Sequence, residues 1–313
     1  MTPLAPPRPA AYLLALLSVV AAALSLAAPG MAAGKTGQVT VFWGRNKAEG
    51  SLREACDSGM HTNWGGYHQM PRMSFLDVFG ANGKYHLDLS GHDLSAVGAD
   101  IKHCQFKGVP VSLSIGGYGT GYSLPSNRSA LDLFDHLWNS YFGGSKPGVP
   151  RPFGDAWPDG VDLFLEHGTP ADRYDVLAIE LAKHNIRGGP GKPLHLTATV
   201  RCGYPPAAHV GRALATGIFE RVHVRIYEES DKACNQYGAW EEAWDRWTAA
   251  YPATRFFIGL TADEKSYQWI HPKNVYYGIT PVVQKKDNYG GVMLWDRYFD
   301  KQSDYSSYIK YYA

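Results

Sequence analysis

Asp159-Gly-Val-Asp162-Leu-Phe164-Leu-Glu166 (DGVDLFLE), near the middle of a 313-residue chain, has the period of a β-strand. Over 160–166 successive side chains point to opposite faces, so Asp162, Phe164 and Glu166 share one face and Leu163 and Leu165 the other. Leucines on one side and carboxylates on the other suit the wall of a closed barrel, with the leucines under surrounding helices and the acids inside. Carboxylates on an inner face are costly to bury and rarely arise from packing, so this strand supplies the first site candidates.

Outward from it, seven more β-rich runs alternate with helical patterns. They are 38–44 (QVTVFWG), 73–79, 110–117 (PVSLSIGG), 194–200 (LHLTATV), 222–227 (VHVRIY), 255–261 (RFFIGLT) and 290–296 (GGVMLWD). Helical patterns cover 51–59, 94–107, 129–142, 170–185 and 239–251. Eight β–α alternations without a long structureless gap predict an α/β fold, a single-domain (β/α)8 TIM barrel over 32–313. Trp240, Trp244 and Trp247 fall on one helix face, which marks core rather than a ligand site. One segment fits badly. Residues 61–72 (HTNWGGYHQMPR) contain Gly65, Gly66 and Pro71, and proline removes a ladder donor while glycine weakens a strand. The expectation is that 61–72 loop out and the second strand starts at Met73.

Residues 1–31 carry Arg8 as their one charge and an apolar run from Ala10 to Ala28, followed by Pro29-Gly30-Met31-Ala32-Ala33. This reads as a removed signal peptide, placing a soluble mature chain outside the cell, in the apoplast or cell wall. Losing Arg8 leaves 29 basic residues against 29 acidic ones. A neutral chain has no global field for nucleic acid or anionic membrane, so charge recognition has to be local. Four cysteines in an oxidising compartment predict two disulfides. Three pairings are possible, and near neighbours along the chain give Cys56–Cys104 and Cys202–Cys234. No CxxC or HxxxH spacing suggests a metal, and nothing points to a cofactor.

In a barrel the site forms at the strands' C-terminal ends. There Ser114-Ile-Gly116-Gly117 ends the third strand, and Arg225, two residues before Tyr227, takes an inward position on the sixth. Spacing leaves open whether Arg225 reaches Glu166, Asp162 or neither. Asn185-Ile-Arg187-Gly-Gly-Pro-Gly-Lys192-Pro reads as a protruding turn, and Lys273 follows Pro272 at the start of the helix after the seventh strand. Asn127-Arg-Ser129 is the one N-glycosylation sequon, and it precedes a helix.

DGVDLFLE resembles the DGxDxDxE signature of glycoside hydrolase family 18, and Ser114-Ile-Gly116-Gly117 resembles its SxGG motif. VRIYE around Tyr227 and MLWD around Trp295 fall where class III plant chitinases carry a substrate tyrosine and a barrel-floor tryptophan. The similarity covers essentially the whole mature chain. It is closer still to the cereal xylanase inhibitors, a chitinase-like branch without chitinase activity, which residues 159–206 resemble nearly residue for residue. In the hydrolases the substrate's own acetamido group is the nucleophile, a glutamate protonates the leaving oxygen, and an aspartate two residues earlier orients the acetamido group. By that correspondence Glu166 survives while Phe164 stands where the aspartate should be. A phenyl ring can neither accept the amide hydrogen bond nor steady the developing positive charge.

The resemblance implies that Asp162, Phe164, Glu166, Tyr227 and Trp295 form a vestigial site. It implies monomeric binding of xylanases, with Arg187 and the neighbouring Lys192 addressing family 11 enzymes and Lys273 family 10 enzymes. The branch's disulfide pattern agrees with the near-neighbour pairing. Two other functions compete: a silent lectin or storage protein with a groove at Tyr227 and Trp295, and an active chitinase, which Phe164 opposes.

Overall fold

The computed structural model describes residues 37–58, 70–80, 84–184, 194–227, 234 and 239–313. The chain divides into Met1–Gly34 and Lys35–Ala313, and the described residues belong to the second unit. The expected signal peptide, 1–31, lies outside the described residues, as do Arg187 and Lys192.

Eight parallel strands close on themselves: β1 (Gln38–Trp43), β2 (Met70–Val78), β4 (Ser112–Gly117), β5 (Gly160–Leu165), β6 (His195–Arg201), β7 (Arg221–Arg225), β8 (Arg255–Thr261) and β9 (Tyr289–Trp295). Closure comes from β1 pairing with both β2 and β9. The short β3 (His86–Leu87) adds antiparallel to the end of β2, outside the barrel round. Helices α1 (Leu52–Asp57), α2 (Leu94–Phe106), α3 (Asn127–Tyr141), α4 (Tyr174–His184), α5 (Ala208–Leu214) and α6 (Ala239–Ala250) fill successive crossovers. The chain ends in α7 (Pro272–Asn274), a π-helical stretch (Val275–Ile279), α8 (Thr280–Val283), α9 (Arg297–Ser303) and α10 (Tyr305–Ile309). The predicted (β/α)8 barrel is what the chain forms.

The outward strand residues make the main core with the helices. Leu163 and Leu165 join it on β5, and Trp244 and Trp247 of α6 are fully buried there with Trp240 packed alongside. Asp159 and Gly160, the first letters of the signature stretch, are structural. The Asp159 Oδ2 accepts from the Val111 N–H at 2.8 Å and from Gln105 Nε2 at 2.9 Å, tying β5 to the start of β4. Any Cβ on Gly160 would lie 2.4 Å from the His195 carbonyl oxygen.

The second strand differs from expectation. It starts at Met70, with Met70, Pro71 and Arg72 opposite Thr40, Val41 and Phe42 of β1. Residues 61–69 lie outside the described residues. Proline is tolerated because β4 joins on the other side only from Arg72, opposite Ser112, so Pro71 sits at a strand start where one flank has no ladder to lose. Arg72 is thereby a barrel residue with no exposed surface, not part of a loop.

Both disulfides form as paired, Cys56–Cys104 and Cys202–Cys234. Asn127 is exposed at the first turn of α3, where Ser126 and Ser129 cap the helix reciprocally.

Candidate functional site

Three layers stack inside the barrel. The lowest is ionic. Asp162 and Arg72 are both fully buried and lie 3.4 Å apart. Around Asp162 the hydroxyls of Thr197 (2.7 Å), Thr199 (3.0 Å) and Ser114 (3.0 Å) donate to its oxygens. Arg72 also donates to Thr197 Oγ1 at 2.7 Å and to His223 Nε2 at 2.9 Å. A guanidinium only donates, so Nε2 accepts and the His223 proton sits on Nδ1, 3.1 Å from Thr199 Oγ1. Burial and then the Arg72 charge push the His223 imidazole down to about 4, which keeps it neutral at pH 7. Burial alone would raise the Asp162 carboxyl. The Arg72 charge, with help from His223 and Thr197, holds it below the usual carboxylate range instead.

The middle layer is aromatic. Phe164 is fully buried and meets Phe42, Phe75, Tyr118 and Trp295 at centroid distances of 5.5, 5.0, 5.2 and 5.7 Å. The Arg225 guanidinium lies 4.4 Å over its ring, a cation–π contact away from water. Tyr227, Phe257 and Met293 complete the cluster. Backbone shape allows this filling: Gly117 has φ +93°, and a Cβ there would meet the Phe75 ring at 2.7 Å.

At the top Glu166 is clamped. Arg225 donates to its Oε1, and Arg201 donates to Oε2 from Nε (2.8 Å) and Nη2 (2.6 Å). Tyr122 fixes the backbone beneath, its hydroxyl accepting from the N–H groups of Glu166 (2.9 Å) and His167 (3.1 Å). The question left open for Arg225 is answered: it binds Glu166. Thus Asp162, Phe164 and Glu166 share the inner face as the alternation predicts, and Tyr227 and Trp295, which the resemblance named, pack in the aromatic layer with Phe164. Lys273 is elsewhere, exposed on α7 with its N–H bonded to His271 Nδ1 at 3.1 Å.

Sequence reading missed Arg72, Thr197, Thr199, Arg201 and His223. A period of two carried through β6 and β7 puts Thr197, Thr199 and Arg201, and likewise His223 and Arg225, on the inner face, and their Cα register confirms it. Arg72 had no such signal, because Pro71 broke the pattern.

Beyond Trp295 the chain turns at Asp296, which caps α9 by accepting from the Phe299 N–H at 3.3 Å. Burial and the neighbouring carboxylate of Glu49 raise the Asp296 carboxyl to about 7.

Two outcomes are expected. Asp162→Asn leaves the Arg72 guanidinium buried without a counter-charge and should destabilise the fold by about 3–5 kcal/mol. A denaturant midpoint close to that of the parent would contradict the pairing. Asp296 holds its proton longer when folded than unfolded, so its contribution to stability falls as pH rises from about 4 to about 7 and is level above. His223, neutral in the fold, acts oppositely at the acid end of that window. The informative quantity is therefore the difference between parent and Asp296→Asn, which keeps the cap: the variant should gain stability relative to the parent between pH 5 and pH 8, read by thermal melts.

No family model matches the chain. It is 84% identical to Xylanase inhibitor protein 1 of Triticum aestivum over 314 aligned residues, covering all of both chains. It is 48% identical to Xylanase inhibitor protein 1 of Oryza sativa subsp. japonica, over 96% of this chain and 97% of that one. Among solved structures, the xylanase and α-amylase inhibitor protein XAIP-II of Scadoxus multiflorus superposes with a TM-score of 0.78 at 33% identity, over 89% of this chain and 99% of that one. The chain belongs to the xylanase inhibitor protein family, built on a chitinase-like (β/α)8 barrel.

Proposed function

We propose that this protein inhibits microbial endo-1,4-β-xylanases in plant defence and hydrolyses nothing itself. The observation that carries the second half is the filled barrel mouth. Glu166 cannot hand a proton to a leaving oxygen while both its oxygens accept from guanidinium groups. Phe164, at the position matching the acetamido-orienting aspartate, occupies the space below with a ring under Arg225. Kinship with proteins named xylanase inhibitors supports the first half. A barrel whose interior is packed shut but whose frame is rigid is a scaffold for loops, and on this reading the binding surface is on those loops.

On this reading Lys273 meets the carboxylates of a family 10 xylanase, and Arg187 with Lys192 those of a family 11 enzyme. Lys273 follows a strand, at the barrel end where strands finish. Arg187 falls in the sequence between α4 and β6, and β6 starts at the opposite end of the barrel. Two enzymes of different fold would then bind independently to one monomer. Residues 1–31 serve as a signal peptide, the mature chain works outside the cell, and Asn127 carries an N-glycan. The described helices include none long and apolar enough to cross a membrane.

Chitin oligosaccharides should not be turned over above the level of a Glu166→Gln control. Phe164→Asp alone should restore little, since Arg201 and Arg225 still hold Glu166. Measurable turnover by the parent would overturn the reading. The inhibitory surfaces are tested with xylanases of both families, after the parent has been shown to inhibit each. Truncating one member of a desolvated charged pair costs about 2–5 kcal/mol, roughly 30- to 4000-fold in affinity. Arg187→Ala should lose that much against family 11 and almost nothing against family 10, and Lys273→Ala the reverse. Equal losses against both families would exclude separate sites.

A further inference from the structure

A second concave surface lies outside the barrel mouth, where the connection after β8 meets the C-terminal helices. It is a cleft of about 690 Å³ with an aromatic floor and walls. Its floor is held rigid by hydrogen bonds to backbone. Tyr305 donates from its hydroxyl to the Ile270 carbonyl at 2.6 Å, and Tyr312 to the Pro272 carbonyl at 3.2 Å. Its walls are exposed rings: Tyr276 is 47%, Tyr277 76% and Tyr308 60% accessible. Tyr276 is braced edge-on against both Tyr277 and Tyr312, at 4.7 and 4.9 Å.

These rings need an explanation that core packing does not give. A soluble surface seldom gathers so many exposed aromatics, and such patches mark binding sites. The backbone beneath Tyr276 and Tyr277 is also unusual. Val275–Ile279 is π-helical, with the Thr280 N–H bonded to the Val275 carbonyl five residues back. Single π turns are rare, and they concentrate at functional positions because they displace side chains from the helical row.

The charge around the cleft narrows the ligand class. Glu264 opposes Lys273, with His271 beside it, so the rim has no strong net sign and does not select a polyanion. Rigid, amphipathic rings with polar groups at the edges suit a ligand that is flat and apolar on its faces and hydroxylated along its sides. A neutral β-1,4-linked glycan has that form, since its equatorial substituents leave the C–H faces bare. Its hydroxyls would find Glu264, His271 and Ser303 as partners. The volume lies within the range of about 300–1,000 Å³ usual for ligand sites.

We propose that this tyrosine cleft binds a short stretch of an extended neutral β-1,4-linked glycan, independently of the closed barrel mouth. The proposal does not depend on Lys273 acting against a xylanase. It does imply that glycan and enzyme compete at that edge of the molecule.

The test uses the full mature protein without any xylanase, titrated with cellohexaose and with xylohexaose. Binding is followed by intrinsic fluorescence and saturation-transfer NMR, with α-1,4-linked maltohexaose as the control. Saturable binding of the β-linked chains is expected, with Tyr277→Ala and Tyr308→Ala each weakening it about tenfold. Both side chains are largely exposed, so melting temperatures should stay at the parent value and separate lost binding from lost fold. The proposal is overturned if neither β-linked glycan binds, if the double variant binds as the parent does, or if maltohexaose binds equally well. It is equally overturned if these variants change only xylanase inhibition, which would make the cleft a protein-docking surface.

Discussion

Arg72 and Asp162 face each other across the barrel interior with no exposed surface on either, and the rest of the site is stacked on that neutralised pair. Stripping two ions of water costs several kcal/mol each, so such a pair persists only where its remaining bonding capacity is met. Here three hydroxyls and a neutral imidazole meet most of it. They come from three parts of the barrel wall, β4, β6 and β7. The ionic layer therefore fixes the register of strands far apart in the chain. It also sets the height at which the aromatic layer begins.

On that floor Phe164 makes a packed interior. Its ring is touched by four other aromatic rings and a guanidinium, so no side of it is left open. The same guanidinium, from Arg225, reaches Glu166 above. One residue thus links the aromatic plug to the clamped carboxylate. Both oxygens of that carboxylate accept from guanidinium groups, and aromatic rings pack the interior below it. What stays available for recognition is peripheral. Among the described residues it includes the exposed Lys273 on α7 and a cleft lined by tyrosines, carried by a frame whose interior is packed.

Much of this was legible before any coordinates. The alternation through 159–166 placed Asp162, Phe164 and Glu166 inward, and eight β–α repeats required closure, because parallel strands with helices between them have few other ways to bury both faces. The apolar spacing of Trp240, Trp244 and Trp247 correctly meant core. The partner of Glu166 was half legible. Arg225 is visible on the inner face, but Arg201 lies one residue beyond the β-rich run 194–200, where the pattern gives way to Cys202-Gly203. Arg72 was misplaced outright. Local chemistry around Pro71 argued against a strand, and it lost to the pairing offered by β1, since one missing donor at a strand start is a small defect beside a lost barrel stave.

By itself, the sequence determined the barrel and the inward face of its fourth strand, β5, since periodicity is a property of neighbours along the chain. It also put Phe164 where the signature that this stretch resembles has an aspartate, a matter of residue identity. Only the tertiary structure decided which charges meet. The Arg72–Asp162 pair, the two guanidiniums on Glu166, the ring under Arg225 and the cleft joining Tyr277 to Tyr308 each unite residues distant in sequence. Their energies depend on burial and on separations of a few ångströms, and those exist only once the strands have closed.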